Sequence, residues 1–237
     1  MATQRAAILH RVDYPDSDGK PMGESDVHRD EMIGAIEALK DHFRDHAEVY
    51  VAGDLLLYYE EGDPAAVVVP DVMVVRGVAK RLRRSYKLWE EQHGPELVIE
   101  ISSRSTRLED LGTKRALYEM LGVQEYLLFD PLEEYLKPSF QGFILAGGRY
   151  VPLAPEADGS FLSGALGLRF RREGSHLRII DAATGEPLST PSEAMKRARA
   201  EAEARAHADE RAARAEAELE RLRALLGGSA AKDEQKR

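Results

Sequence analysis

Two acidic residues interrupt two apolar runs of this chain. Asp71 lies inside VVVPDVMVV (67–75), and Glu100 lies inside PELVIEISS (95–103). The β-branched composition of these runs predicts strands, and a buried carboxylate without a partner is costly to desolvate. Either acid alone also fits an outward-facing position on a half-buried strand, because alternate side chains face solvent. Two such acids on successive predicted strands favour one shared site, in which a divalent cation would compensate both charges.

A lysine on the next predicted helix belongs to the same pattern. Leu111, Lys114 and Tyr118 follow one another at spacings of three and four within 106–123, so they share one helix face. That helix follows directly after the strand that carries Glu100, and its apolar face is expected to pack over the strand. Lys114 then either extends past its neighbours to water or reaches a negative group, and Glu100 is the nearest one.

The remaining periodicities predict a mixed α/β domain. A loop over 13–25 precedes a helix over 26–46, which Ser25 or Asp26 can cap. Strands are predicted over 49–60, 67–75, 95–103 and 124–131, with shorter antiparallel strands in 135–154 and 161–181. Pro70 interrupts the second of these strands and predicts an edge or a bulge there, because proline has no N–H to donate. The basic segment 79–92 is compatible with a helix. The strand–helix–strand order from 95 to 131 is typical of a βαβ-like unit.

Composition narrows the functional class. The absence of cysteine excludes a disulfide framework, thiolate zinc sites and cysteine nucleophiles. No apolar segment has the length of a signal peptide or a membrane span, so a cytoplasmic protein is expected. The net charge of -9 has the wrong sign for a generic nucleic-acid binder. Any contact with nucleic acid must therefore come from local basic clusters.

One basic cluster lies between the two acid-bearing strands. It consists of Lys80, Arg81, Arg83, Arg84 and Lys87. These side chains are predicted to contact a nucleic-acid backbone, where phosphate contacts position a protein without specifying sequence. A charge run is more often a solvated face, and that interpretation stays open.

The composition changes near residue 189. Residues 189–228 are dominated by Ala, Glu and Arg, with Glu–Arg pairs four apart, and predict a long exposed helix that stops at Gly227 and Gly228. The tail 229–237 is expected to be disordered. The helix is either a solvated single helix or a weak coiled coil through which a homodimer forms. The chain thus divides into 1–188, the helix and the tail.

Four segments, in this order, carry a family resemblance: YPDSDGKPMGESDVH, VPDVMVV, PELVIEISSRST and KRALYEMLGVQEYLLFDP. Together they resemble the Uma2-type endonucleases, a DUF820-like family similar to PD-(D/E)XK restriction nucleases. The resemblance covers roughly residues 13–185. It implies a restriction-endonuclease-like α/β fold, in which helices flank a mixed β-sheet, here followed by the long C-terminal α-helix.

The resemblance also implies a role for individual residues. Asp71 matches the aspartate of the PD element and Glu100 the second acid, and both would hold Mg²⁺ or Mn²⁺ with the backbone carbonyl of Ile101. Ser102 stands where the pattern places a lysine two residues after the acid. Lys114 resembles a lysine that has migrated to the following helix.

The implied activity is metal-dependent hydrolysis of phosphodiester bonds in DNA. The metal would activate water and stabilise charge on the phosphate. Lys114 would orient or deprotonate that water, or stabilise the transition state. An alternative hypothesis is a degenerate nuclease fold that binds nucleic acid or protein without cutting, with the C-terminal helix mediating assembly. Second-rank site candidates are Glu24, His28, Glu31, Ser102 and Tyr118.

Overall fold

The computed structural model describes residues 12–17 and 25–234. The described residues divide into two compact units, with the boundary between Thr190 and Pro191. In chain order, the elements of the first unit are α1 (Asp26–His42), β1 (Val49–Ala52), β2 (Leu57–Tyr58), β3 (Val67–Val68), β4 (Val72–Arg76), β5 (Tyr86–Lys87), α2 (Leu88–Glu91), β6 (Leu97–Ile101), α3 (Arg107–Glu109), a π-helical turn (Asp110–Lys114), α4 (Arg115–Met120), β7 (Glu125–Phe129), β8 (Phe140–Ala146), β9 (Arg149–Pro152), β10 (Phe161–Ser163), β11 (Leu168–Glu173) and β12 (His176–Asp181).

A mixed six-stranded sheet forms the centre of this unit. Its strand order is β1-β4-β6-β7-β8-β9, with β6 and β7 parallel and the other neighbouring pairs antiparallel. Two smaller sheets have the orders β10-β11-β12 and β3-β2-β5. The predicted mixed-sheet α/β fold with flanking helices is therefore confirmed.

Side chains of the central strands alternate between two apolar cores. In β4, Val72 and Val74 pack with α1 and the β10–β12 sheet, whereas Met73 and Val75 pack with the side that includes β2, β3 and β5. All five residues of β6 are buried, as expected for a central strand covered on both faces. A carboxylate on β6 is therefore placed in the interior of the domain.

The register of β4 against β6 brings the two acids together. Val72 pairs with Ile99, so one further step along the antiparallel ladder places Asp71 beside Glu100. Facing residues of neighbouring strands have Cβ atoms about 4.5–5.5 Å apart. The interaction between two acids far apart in sequence is thus set by strand pairing.

Two predicted strands are each divided in two. The segment 49–60 forms β1 and β2, which belong to different sheets, and the segment 67–75 forms β3 and β4. Pro70 separates the latter pair, because proline has no N–H for the ladder, and its carbonyl accepts from the Asp54 N–H at 3.0 Å. The prediction of one strand over 49–60 was wrong, whereas the predicted interruption of 67–75 at Pro70 is confirmed.

The helical predictions are confirmed in part. Ser25 caps α1 by accepting from the His28 N–H at 3.2 Å, and Gly122 adopts the left-handed conformation (φ 78°) predicted for the residue after a helix. The helix expected over 106–123 consists of α3, the π-helical turn and α4. The segment 79–92 is mainly non-helical and contributes only β5 and the single turn α2.

The second unit is the helix α5 (Pro191–Glu234), 44 residues long. It continues through Gly227 and Gly228, so the predicted stop there was wrong, since each glycine costs a helix only about 1 kcal/mol relative to alanine. Residues 229–234 of the expected disordered tail are helical, and 235–237 lie outside the described residues. No helix in the described part of the chain has the length and apolarity needed to cross a membrane.

Gly53 allows the chain to pass close to the segment that carries Asp71. A Cβ atom at Gly53 would lie 2.0 Å from the backbone oxygen of Asp71. Gly53→Ala must therefore displace this backbone, and chemical denaturation is expected to show a loss of about 1–3 kcal/mol. Gly34→Ala is the matched control on α1, where a Cβ meets nothing within 4 Å, and a gain of about 0.5–1 kcal/mol is expected. Equal stabilities of the two variants would contradict this account of Gly53.

Candidate active site

Asp71 is held in place by two donors from different elements. Its Oδ2 atom accepts from the backbone N–H of Ile101 at 2.7 Å and lies 3.2 Å from Nε2 of His28 on α1. Burial raises the pKa of Asp71, but the bond to His28, the charge of Lys114 and the Ile101 N–H outweigh it and hold the pKa below its ordinary value. The Asp71 side chain remains 18% exposed, so an ionised carboxylate faces an accessible space.

Glu100 is the most deeply buried acid of the cluster. Its side chain has no exposed surface, and each oxygen has a protein donor: Lys114 Nζ at 2.8 Å from Oε2 and the Tyr118 hydroxyl at 2.6 Å from Oε1. Burial raises the pKa of Glu100 well above its ordinary value, and the negative charges of Asp71 and Asp110 add to this effect, while Lys114 opposes it. Additional positive charge near Glu100 would therefore favour its ionised form.

Lys114 connects Glu100 to a third carboxylate, Asp110. Its Nζ atom lies 3.4 Å from Asp110 Oδ1, and the Ser102 hydroxyl donates to Asp110 Oδ2 at 2.9 Å. Burial lowers the pKa of Lys114, but the negative charges of Glu100, Asp71 and Asp110 together have the larger effect and raise it above its ordinary value. The ammonium form is therefore favoured. Burial also raises the pKa of Asp110.

Lys114 and Asp110 face the site together because they lie four residues apart, at the two ends of the π-helical turn. Asp110, Lys114 and Tyr118 are spaced by four and converge on Glu100, whereas Leu111 is 37% exposed and does not share their face. The Tyr126 hydroxyl donates to the backbone oxygen of Asp110 at 2.9 Å and fixes the turn. The predicted face that included Leu111 was wrong because the wider turn rotates the residues before Lys114.

The structure thus brings Asp71, Glu100 and Lys114 into one cluster, and their catalytic roles remain predictions. Among the second-rank candidates, His28, Ser102 and Tyr118 contact these groups or Asp110. Ile101 contributes its N–H to Asp71, and the predicted metal contact of its carbonyl also remains a prediction.

The two remaining second-rank candidates are Glu31 and Glu24. Glu31 accepts from the Leu177 N–H at 2.9 Å and pairs with His176, so it joins α1 to β12. Glu24 lies outside the described residues. Sequence reasoning missed Asp110, although its spacing of four from Lys114, and of eight from Tyr118, was a usable signal.

The predicted nucleic-acid-binding cluster has intramolecular partners throughout. Its five side chains lie against acids or backbone carbonyls: Lys80 on the carbonyls of Phe43 and Arg44, Arg81 and Arg83 on Glu91, Arg84 on Asp16, and Lys87 on Glu90. The Arg83 side chain is only 3% exposed and lies 4.2 Å from the centre of the Tyr50 ring. These contacts give the cluster a structural role, while nucleic-acid contact remains a prediction.

The donor set of the site fits a hard divalent cation. Three carboxylates, those of Asp71, Glu100 and Asp110, surround one ammonium, and each carboxylate has about four lone-pair positions. Within residues 12–17 and 25–234, no group of three or more His, Cys, Asp or Glu side chains is arranged to hold a metal ion. Mg²⁺ is often bound through only one or two carboxylates, with water and substrate phosphate completing its shell. Asp71 and Glu100 are the residues that would hold such an ion.

Known proteins share sequence features with this chain. The model of the Uma2 family, described as "Putative restriction endonuclease", matches residues 11–176, which is more than half of the chain. A crystal structure of "a putative nuclease belonging to DUF820" from Anabaena variabilis has 17% sequence identity and a TM-score of 0.41, and the match covers 58% of this chain and 73% of that one. No curated protein matches.

Glu91 provides a pH test of the paired basic cluster. Hydrogen bonds from Arg83 and Arg81 lower the pKa of Glu91 to about 2, below the value of about 4.3 expected in the unfolded chain. The resulting stabilisation is complete above the unfolded pKa and is lost as the pH falls through 4 toward 2. Glu91→Gln is expected to lose about 1–3 kcal/mol at pH 7 and to show a shallower loss of stability on acidification.

Denaturation curves between pH 7 and pH 2 measure this difference. The matched control is Glu90→Gln, since Glu90 is 52% exposed and its pair with Lys87 is expected to contribute less than about 1 kcal/mol. Parallel pH profiles for Glu91→Gln and the unmodified protein would rule out a strong pair with Arg83.

Proposed function

The chain belongs to the Uma2 family, and from this membership and the geometry of the site we propose that it is a metal-dependent endonuclease that hydrolyses phosphodiester bonds in DNA. The observation that carries the proposal is the meeting of Asp71, Glu100 and Asp110 with Lys114 in a largely buried cluster. Burying several acids together lowers the stability of the folded protein, because each carboxylate loses its hydration. Perturbed pKa values of this kind are concentrated at functional sites.

Asp71 and Glu100 would hold Mg²⁺ or Mn²⁺. The bound ion would supply Lewis-acid stabilisation for the negative charge that develops on a phosphate group. Asp71 suits this task because the Ile101 N–H and His28 fix its Oδ2 atom, so the carboxylate is oriented before substrate arrives. Glu100 is fixed in the same way by Lys114 and Tyr118.

Lys114 acts as a positively charged donor in this proposal. Hydrolysis joins a water oxygen to phosphorus, breaks the bond from phosphorus to one ester oxygen, and moves one proton, in net terms, from the water to that leaving oxygen. The Lys114 ammonium donates a hydrogen bond to Glu100 and forms an ion pair with Asp110 at 3.4 Å. Its remaining N–H groups can donate to a phosphate oxygen or to the attacking water. The surrounding carboxylates raise the pKa of Lys114 and favour its protonated form, which suits orientation of the water or stabilisation of the transition state. A role in deprotonating the water stays open.

One observation favours a second function. Glu100 is fully buried, and both of its oxygens already have protein donors. A cluster satisfied in this way also fits a degenerate nuclease fold that binds nucleic acid without cutting it. The homodimer through α5 is a separate hypothesis, and the oligomeric state of the full chain tests it.

A plasmid-cleavage assay separates the two functions. The full-length protein with supercoiled plasmid and Mg²⁺ or Mn²⁺ is expected to produce nicked and linear DNA, and EDTA is expected to prevent this. Asp71→Ala and Lys114→Met are each expected to reduce the rate by ~10²-fold or more. Glu37→Ala is the control, because Glu37 is exposed on α1 and pairs with Lys40, and its rate is expected to equal that of the unmodified protein.

Two results would contradict the nuclease proposal. Cleavage by Asp71→Ala at the unmodified rate would show that the activity does not come from this site. Absence of cleavage with either metal, together with retained DNA binding, would favour the degenerate fold.

A further inference from the structure

The ends of β6 and β7 form one edge of the central sheet next to the site. The two strands are parallel and Ile101 pairs with Phe129, so the segments 102–106 and 130–139 leave the sheet at the same edge. In open α/β sheets, ligands bind outside the carboxyl ends of parallel strands. Glu100 is the penultimate residue of β6, which places this edge beside the carboxylate cluster.

Two arginines at this edge lack acidic partners. Arg104 is exposed and Arg107 is half-buried, and within residues 12–17 and 25–234 no carboxylate lies within 4 Å of either guanidinium. Arg107 donates to the backbone oxygen of Arg104, and its guanidinium lies 6.0 Å from the centre of the Tyr135 ring. The positive charge of Arg104 also acts on Tyr135. The loops after β6 and β7 therefore place two uncompensated cations around one aromatic ring.

The arginines of the 80–87 cluster pair with acids, whereas Arg104 and Arg107 have no carboxylate within 4 Å in the described part of the chain, so their guanidinium groups can bind a ligand. Arg81 and Arg83 pair with Glu91, and Arg84 pairs with Asp16. Arginine binds phosphate through two parallel N–H donors, and a guanidinium without a carboxylate partner retains that capacity. In a chain with a net charge of -9, these two arginines thus provide local positive charge next to the carboxylate cluster.

Polar groups at the same edge suit a phosphate backbone. Ser103 and Ser105 have hydroxyls 2.9 Å apart, and hydroxyl groups are common donors to phosphate oxygens. Two acids lie on the neighbouring loop. Glu133 pairs with Arg172, and Glu134 forms a hydrogen bond with Tyr135, so both have partners within the domain.

We propose that Ser103, Arg104, Ser105, Arg107 and Tyr135, here called the edge surface, bind the phosphate backbone of the nucleic acid and bring a phosphate to the carboxylate cluster. The inference rests on the proposed nuclease function and names the surface that holds its substrate. Arg104 and Arg107 supply the charge, and the Tyr135 ring lies beside them, with its centre 6.0 Å from the Arg107 guanidinium. The 80–87 cluster then has a structural role.

Binding of a fluorescein-labelled DNA duplex to the full-length protein tests this assignment. Fluorescence anisotropy in EDTA, which prevents cleavage, gives Kd over a series of NaCl concentrations. Arg104→Ala with Arg107→Ala is expected to weaken binding by about tenfold or more and to reduce the slope of log K against log salt by about 2. Arg104→Lys with Arg107→Lys is expected to restore the salt slope, since it restores both charges.

The matched control is Arg81→Ala with Arg84→Ala, which removes the same net charge from side chains that are 61% and 87% exposed. Its Kd is expected to stay within about twofold of the unmodified value. Thermal melts of each variant verify folding. Unchanged binding after loss of Arg104 and Arg107, an equal loss in the control, or no duplex binding by the unmodified protein would overturn the edge surface.

The cleavage assay separates this inference from the proposed function. If Asp71→Ala abolishes cleavage while the Arg104 and Arg107 double variant binds and cleaves normally, the edge surface is wrong and the nuclease stands. If the unmodified protein cleaves no DNA, but the Arg104 and Arg107 double variant loses DNA binding, the edge surface stands and the nuclease proposal is wrong.

Discussion

The burial of Glu100 is the constraint around which this domain is organised. A carboxylate on a central strand with both faces covered must have compensating donors, and here they come from Lys114 and Tyr118 on the helix that follows the strand. Asp71 increases the cost of ionising Glu100 because strand pairing places it alongside. A well-packed apolar group at this position would make a domain at least as stable. The arrangement is therefore better explained by a task at the site than by stability.

The features of the fold that depend on local pattern were predictable. Alternation and β-branched composition identified the central strands, Ser25 marked the start of α1, and Gly122 marked the end of the helix after β6. The meeting of Glu100 with Lys114 was also predictable, because a short connection makes a helix pack over the strand that precedes it. The position of Asp71 in an apolar run indicated a site shared with Glu100, and resemblance to a nuclease family added its role in the PD element.

The remaining features depend on contacts between distant residues. The π-helical turn at Asp110–Lys114 is fixed by Tyr126, sixteen residues beyond Asp110. Local spacing could have indicated the shared face of Asp110 and Lys114, but not this wider turn. The 80–87 cluster looked available for nucleic acid because its partners, such as Asp16 for Arg84, are set by tertiary structure. The same limitation applies to Arg104, which differs from Arg81, Arg83 and Arg84 only once those three are seen to pair with acids. A sequence thus shows where the basic residues lie, but not which of them pair with acids in the folded protein.

The central claim is that Asp71 and Glu100 hold a divalent cation beside Lys114. Crystals of the full-length protein grown with MnCl₂, and measured for anomalous scattering of manganese, test it most directly. The account predicts an anomalous peak in contact with the carboxylates of Asp71 and Glu100, and its loss in Glu100→Gln crystals grown in the same way. A map with no peak at these carboxylates, or a peak that persists unchanged in Glu100→Gln, would contradict the claim.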